Sequence, residues 1–201
     1  GKRRGGPFAL VDCSALSESV FESDLFGHER GSFTGAHKRK TGLLENAHEG
    51  TLFLDEIAHL SLPLQAKMLR FLEQRTIRRV GGRSYLHIDT RVVAATNRDL
   101  GMMLEEKTFL PDLYDRLNVL RVRTPDLADH PEDIPDLIAH FAREENMKER
   151  FGNMAPEVLE VLKVHPWPGN VRQLFNVLRR LAIRTGEGGL QKSEVLEALS
   201  Y

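Results

Sequence analysis

The chain has 201 residues, 41% of them hydrophobic, and carries 28 Lys and Arg against 29 Asp and Glu for a formal net charge of −1. That is enough apolar material for a core in one or two domains, and the charge balance argues against a free-standing nucleic-acid binder, which ordinarily shows a basic excess or a basic face. One cysteine, Cys13, excludes an internal disulfide framework and a cysteine-based zinc site and points to a reducing, cytoplasmic compartment; no run reaches the roughly 20 apolar residues of a membrane span, and no signal peptide opens the chain.

In chain order, Gly1 to Pro7 reads as a loop entering a strand, so the natural protein is expected to extend upstream. Short apolar runs at Phe8–Cys13, Thr51–Leu54, Val92–Ala95 and Val119–Val122 read as buried strands. The Thr51 run is apolar on successive residues, which suits a strand covered on both faces of a parallel sheet. Leu64, Met68, Phe71 and Leu72 share one helical face, with Ser61 placed to cap it and Gly81-Gly82 to stop it. From Asp126 the pattern is helical only. Ile134, Leu137, Ile138 and Phe141 form one face, and Val158, Leu159 and Leu162 another. Asn170 is placed to cap a third helix with Gln173 at the capping-box position, burying Leu174, Phe175, Leu178 and Leu181, and Ser193 opens a fourth. The fold class expected is α/β, a parallel sheet with flanking helices over residues 1–125, followed by a small helical subdomain over 126–201.

Thr51-Leu52-Phe53-Leu54-Asp55-Glu56 is an apolar strand ending in two carboxylates. At the carboxyl edge of a parallel sheet such a pair can hold Mg²⁺ with the first group and polarise an attacking water with the second; an exposed acidic turn gives the same pattern. Asn97, ending a second strand, can donate to a phosphate or simply close an Asx turn. In the polar stretch Glu22–Ala36, Phe33 stands alone between Gly31 and Gly35, which allow sharp bends. An aromatic there suits contact with another macromolecule, or a ring tucked under its own loop.

Together these segments resemble the central AAA+ domain of sigma-54-dependent transcriptional activators, the bacterial enhancer-binding proteins, which act as hexamers in signal-responsive, often two-component, regulation. Gly31-Ser32-Phe33-Thr34-Gly35-Ala36 is similar to the family's Gly-Ala-Phe-Thr-Gly-Ala loop, with Ser32 for Ala. Leu54-Asp55-Glu56 resembles its Walker B, Ala95-Thr96-Asn97-Arg98 its sensor I, and Trp167-Pro168-Gly169-Asn170-Val171-Arg172 its sensor II. The resemblance implies ATP hydrolysis with Mg²⁺ between subunits of a hexameric ring that remodels the sigma-54 polymerase closed complex. It implies Asp55 as Mg²⁺ ligand, Glu56 as water activator, Asn97 as γ-phosphate sensor, Arg172 as reporter to the lid, and residues 31–36 as the sigma-54 contact. Arg79–Asp89 matches a second pore loop. DNA binding would belong to a separate C-terminal helix-turn-helix domain absent from this chain.

Three departures stand out. The Gly-rich, Lys-containing Walker A loop, which cradles the nucleotide's β- and γ-phosphates, is absent. In the family it lies shortly before the position of Gly1, so truncation is expected rather than decay, and no other Gly-rich segment replaces it. Gly186-Glu187-Gly188-Gly189 belongs to the lid and lacks the following Lys. In Phe109-Leu110-Pro111-Asp112-Leu113-Tyr114-Asp115-Arg116-Leu117, Leu110 replaces the first of two arginine fingers and leaves Arg116; the Leu-Arg-x-Arg before the lid has become Leu127-Ala128-Asp129-His130. Asp12 stands where the family often has an Asn that holds the catalytic Glu, so either Asp12 and Glu56 share a proton or that restraint is lost, unless Asp12 merely ends a strand. An ATP-driven activator is the first reading and a non-hydrolysing AAA+ assembly module the second. An unrelated AAA+ remodeller, such as a chaperone or helicase loader, is disfavoured by the Gly31–Ala36 loop.

Overall fold

The computed structural model describes residues 3–14, 17–152, 154–184 and 190–200, the side chains of residues 149, 150 and 184 excepted. Gly186–Gly189 therefore lie outside the described residues. The chain divides into two compact units, Gly1–Arg121 and Val122–Tyr201.

In the first unit, β1 (Phe8–Asp12), β2 (Thr51–Asp55) and β5 (Arg91–Ala94) form a parallel sheet in the order β1-β2-β5. The register pairs Leu10 with Phe53 and Phe53 with Val93, and sets Asp12 beside Asp55. Side chains alternate between faces, so Ala9, Val11, Leu52 and Leu54 point one way into the core with Met68 and Phe71 of α3 (Leu62–Gln74). The other face is open. Phe8 and Leu10 are 66% and 61% exposed, and Phe53 is half-buried. The expectation that β2 is covered on both faces is thus corrected: an unbroken apolar run meets helices on one side of this sheet only.

Helix α3 begins at Ser61, whose hydroxyl makes no cap bond and is buried without a partner among the described residues. It ends at Arg75 in the left-handed conformation, well before Gly81-Gly82, because the chain turns there into a two-stranded antiparallel ribbon of β3 (Thr76–Ile77) and β4 (Leu86–His87). Two short helices, α1 (Glu18–Phe26) and α2 (Leu43–Asn46), flank the loop bearing Phe33, and α4 (Leu100–Glu105) and α5 (Pro111–Leu117) follow β5.

Val119–Val122 forms no strand. Val119, Leu120 and Val122 are 85%, 77% and 81% exposed, since no neighbouring strand among the described residues offers them a hydrogen-bonding edge.

The second unit is helical: α6 (Ile134–Glu144), α7 (Lys148–Phe151), α8 (Pro156–Val164), α9 (Asn170–Arg184) and α10 (Lys192–Leu199). Ile134, Ile138, Phe141, Val158, Leu162, Leu174, Leu178 and Leu181 supply its core around Trp167. The capping expected of Asn170 is corrected. Its Oδ1 accepts the Leu127 N–H at 2.7 Å and its amide donates to Asp126 at 3.2 Å, while Gln173 accepts the Gly169 N–H at 2.9 Å. Asn170 therefore ties the unit's first residues to the start of α9, and α10 opens at Gln191, one residue before Lys192 and not at Ser193.

The bare apolar surface has a measurable consequence. Phe8→Thr with Leu10→Thr should lower the light scattering of concentrated samples severalfold. Because both side chains are mostly solvent-exposed, melting should shift by no more than about 1–2 °C. Unchanged scattering would place the association surface elsewhere.

Candidate functional site

Parallel pairing brings the ends of all three strands to one edge, and the polar residues of that edge come from three separate stretches of sequence. Asp55 ends β2 with an exposed carboxylate, one oxygen of which accepts the Glu56 N–H at 3.1 Å. Glu56 is left-handed, at φ 53° and ψ 46°. The next N–H, of Ile57, bonds Ala95 O at 3.0 Å and pins the turn to the end of β5. Asn97 is exposed just beyond, and its N–H faces Glu56 Oε2 at 3.5 Å, a long contact.

Asp12 ends β1 beside Asp55, but its carboxylate is occupied locally. Oδ1 accepts both the hydroxyl of Ser14, at 2.6 Å, and its N–H, at 2.8 Å. The Ser14 hydroxyl, then the Ser14 N–H, hold the Asp12 carboxyl below its ordinary range, which favours an ionised Asp12 over one sharing a proton with Glu56. Ser14 is a residue that sequence reasoning missed, although Asp-x-Ser is a local turn pattern. Burial, then the charges of Asp12, Asp55 and Glu56, push the Cys13 thiol up to about 12. Cys13 is therefore a packed thiol and no nucleophile at neutral pH.

Arg116 lies on α5, exposed, 3.9 Å from Glu73. Leu110 precedes α5 and is half-buried against the first core, its N–H donating to Gln65 Oε1 at 2.8 Å. Gln65 is wholly buried and fully satisfied: its amide also donates to Leu60 O at 2.7 Å and Thr108 O at 3.0 Å. That single side chain fixes the end of the Glu56 turn relative to the start of the Arg116 helix. Arg172 is exposed near the start of α9, in the second unit.

The loop of Gly31–Ala36 leaves and rejoins the body at one place. His28 N and Lys40 O bond at 3.0 Å, Lys40 N and His28 O at 3.0 Å, and Glu29 N donates to Val80 O at 3.0 Å. Three chain segments are thereby zipped side by side. Gly31 and Gly35 hold φ of 80° and 104° with open space around them, so the bends the sequence anticipated are present. Phe33 is 46% exposed, and its ring meets the buried His28 imidazole edge-on with centroids 5.0 Å apart. The ring is thus both accessible and seated. Ser32 is pressed against Gly81 of the second loop, where a side chain would come within 2.6 Å of the Ser32 Cβ, and its hydroxyl is buried without a partner among the described residues.

Beneath the two loops sits Arg79, a residue whose structural role the sequence did not reveal. Its side chain is 9% exposed; Nε donates to Glu45 Oε1 at 2.8 Å, Nη2 to Glu45 Oε2, and Nη1 to Glu29 Oε1 at 2.9 Å. The Glu45 bonds come first among the causes that raise the Arg79 pKa, so the cation is permanent. A bidentate, desolvated pair of this kind is costly to break from one side, at about 3–5 kcal/mol. Glu45→Ala should accordingly destabilise the first unit by about 3 kcal/mol or more. Glu29→Ala, removing a 38%-exposed carboxylate that holds Arg79 by one hydrogen bond and lies 4.0 Å from Arg39, should cost under about 1 kcal/mol in urea unfolding. The opposite order would show that Arg79 is anchored by the loop and not by α2.

A parallel sheet with acidic and amide groups at its carboxyl edge, followed by a helical unit, is the arrangement of an AAA+-type α/β domain with its helical lid. The comparisons agree in detail. Residues 1–123 match the model of the Sigma-54 interaction domain and residues 128–200 that of the AAA+ ATPase lid domain. The chain belongs to the sigma-54-dependent transcriptional activator family. It is 49% identical over 185 residues to the DNA-binding transcriptional regulator NtrC of Rhizobium meliloti, covering 90% of this chain and 38% of that one. It is 47% identical to the regulatory protein AtoC of Escherichia coli, covering 90% of this chain and 40% of that one. The crystal structure of NtrX from Brucella abortus in complex with ATP superposes with a TM-score of 0.84 at 36% identity, over 96% of this chain and 45% of that one. The chain thus spans about two-fifths of the length of the curated relatives it matches. Among the described residues no helix is long and apolar enough to cross a membrane.

Proposed function

We propose that this chain contributes the sigma-54-engaging and water-activating parts of an ATP-driven, hexameric remodeller of the sigma-54 polymerase closed complex in the bacterial cytoplasm. The observation that carries the reading is the convergence of Asp55, Glu56 and Asn97 at one sheet edge, on a turn tied to β5 by the Ile57–Ala95 hydrogen bond. In this reading residues 1–125 are the nucleotide-facing domain and 126–201 the lid.

Asp55 fits one ligand position for Mg²⁺: it is exposed, and among the described residues only one of its oxygens is engaged. Among the described residues no three His, Cys, Asp or Glu side chains form a ligand set of their own, which agrees with an ion held by one carboxylate, nucleotide phosphates and water. When bound, Mg²⁺ neutralises charge on the β- and γ-phosphates. Glu56, its backbone fixed on both sides, orients and deprotonates the attacking water. Asn97 reads the γ-phosphate, Arg116 supplies positive charge to a neighbouring subunit's nucleotide, and Arg172 passes nucleotide state to the lid. Asp12, ionised and committed to Ser14, cannot donate to Glu56 as an Asn would, so the restraint on Glu56 expected from an Asn is lost.

One observation favours the second reading, a non-hydrolysing assembly module. Leu110, in the first finger position, is packed against its own unit's core. With one cation of two gone, a loss on the order of 10³ in rate is within the range such fingers contribute.

Phe33 carries the sigma-54 contact in this proposal, with Gly31, Ser32, Thr34, Gly35 and Ala36 shaping its loop. Phe33→Ala in the gene-encoded full chain should abolish sigma-54 capture in the presence of a transition-state analogue. The half-exposed ring contributes little to the core, so melting should fall by no more than about 2–4 °C. Retained capture, or a collapse of stability, would make the ring structural.

The phosphates have no cradle in this sequence. The 201-residue chain alone should therefore give no calorimetric signal with ATP and Mg²⁺, despite Asp55, Glu56, Asn97 and Arg172. Micromolar affinity would require a phosphate site other than a Gly-rich loop with Lys.

A further inference from the structure

Gln65 is a wholly buried amide on a helix whose neighbouring inward side chains, Leu64, Met68 and Phe71, are apolar. A primary amide carries two donors and an acceptor, and at Gln65 both ends are used. Nε2 donates to Leu60 O at 2.7 Å and to Thr108 O at 3.0 Å, and Oε1 accepts the Leu110 N–H at 2.8 Å. The partners belong to two segments. Leu60 closes the turn that Glu56 opens: its N–H donates to Ile57 O at 3.2 Å, and the Ile57 N–H is tied to Ala95 O. Leu110 opens α5, its carbonyl taking the Tyr114 N–H at 3.0 Å, and it has no polar side chain with which to cap that helix. Gln65 supplies from 45 residues away what a capping-box Gln supplies locally, an acceptor for the N–H of the residue at the helix start. Helix α5 is seven residues long, buries Leu113 and carries Arg116 in its last turn. A helix so short does not bend, and a shift at its entry reaches Arg116.

We propose that Gln65 is a positioning residue that couples the two contributions one subunit makes to hydrolysis: the Glu56 turn at its own nucleotide and the Arg116 finger offered to a neighbour. In the hydrolytic reading on which this rests, Glu56 and Arg116 of one subunit act at different nucleotides, so no shared ligand keeps them in step. Gln65 is the part they share. A turn that shifts when Glu56 engages water draws on Leu60 O, and with it on the amide that holds Thr108 and Leu110. The state of one site is thereby passed to the finger at the next. An apolar side chain of the same size would fill the space as well, but it would strand two carbonyls and an N–H inside the unit. Packing alone therefore calls for no amide at this position. Misplacing a catalytic group by about 1 Å can cost on the order of a hundredfold in rate, which sets the scale of what such a residue controls.

The test uses the gene-encoded full chain and two independent readouts. Without nucleotide, Gln65→Met should speed amide hydrogen exchange about tenfold or more in both residues 57–60 and residues 110–114, leaving β2 unchanged. Acceleration in one segment alone overturns the coupling. In mixed rings, Glu56→Gln subunits keep a working finger and Arg116→Ala subunits keep a working turn, so mixing the two restores hydrolysis where they meet. Gln65→Met added to either partner should lower the restored kcat about tenfold or more while KM changes less than about twofold. Ile88→Ala, a truncation of the same core ahead of β5 and away from the carboxyl edge, is the structural control: it opens a cavity but should keep at least about half of kcat. Should Gln65→Met fail to assemble, Gln65→Glu keeps the volume and the acceptor for the Leu110 N–H but, when ionised, has no donor for Leu60 O. It should cost more in the turn-bearing partner than in the finger-bearing one, and the reverse order overturns the proposal. So does a loss in one placement of Gln65→Met alone, or an equal loss in Ile88→Ala. Parent variants that do not complement each other would refute the hydrolytic reading and this coupling together, whereas a restored mixture indifferent to Gln65 refutes the coupling alone.

Discussion

Parallel pairing obliges every strand of a sheet to leave at the same edge, whatever its position in the sequence. In this chain that rule brings together residues more than 80 positions apart. Asp12 ends a strand that begins at Phe8, Asp55 ends one that begins at Thr51, and Asn97 follows one that begins at Arg91, and the register leaves no freedom about where they meet. The packing that maintains the register lies entirely on the other side of the polypeptide's chemistry. Ala9, Val11, Leu52 and Leu54 bury one face against α3, while the polar groups sit at and just beyond the strands' last residues. A shift of one residue in β2 would exchange Leu52 and Leu54 for Thr51 and Phe53 in the core and turn the inward face outward. The apolar alternation therefore protects the carboxylate edge without touching it.

A second constraint governs the loops. Segments rich in glycine and like charge have little of their own to hold them in place, and the two loops, residues 28–40 and 78–85, carry seven Lys and Arg against one acid, an excess of six positive charges. Their order comes from below, from a few backbone bonds among residues 27–40 and 80 and from Arg79, whose guanidinium is shared between Glu29 in the first loop's base and Glu45 in α2. Burying that cation is tolerable only because three of its donors are met by carboxylate oxygens. The base is consequently rigid and the tip is open. That division suits a surface that must present Phe33 in a fixed direction while leaving its contacts free.

What the sequence disclosed, and what it did not, follows from the range of the interactions concerned. Strands at Phe8, Thr51 and Val92 are legible because apolar runs bounded by turn residues are local signals. Val119–Val122 carries the same signal and forms no strand, since a strand also needs an edge to pair with, and composition is silent on that. The same gap explains why β2 reads as covered on both faces. The polar ends of strands are legible from the change of residue type at Asp55 and Asn97, and the glycine-framed Phe33 from its isolation. Its seat against His28 is not. Gln65 and Arg79 give no local signal because their partners lie 34 to 50 residues away for Arg79 and up to 45 for Gln65. Asn170 stands in a helix-cap position, but its amide finds a better partner 43 residues earlier, at Leu127.

The left-handed backbone of Glu56 ties these observations together. A non-glycine residue in that conformation costs about 1–3 kcal/mol and persists only where its surroundings leave no alternative. Here they leave none. Asp55 Oδ1 takes the Glu56 N–H, Ala95 takes the N–H of Ile57, the turn closes from His59 N to Glu56 O at 2.9 Å, and Gln65 holds the carbonyl of Leu60 at its end. A relaxed Glu56 would have to surrender several of these bonds at once, most of them inside the body of the unit. The carboxylate itself, by contrast, has among the described residues only the long contact to the Asn97 N–H. The structure thus commits its hydrogen bonds to the backbone of Glu56 and leaves its side chain free, the arrangement expected of a group that must act on something brought to it.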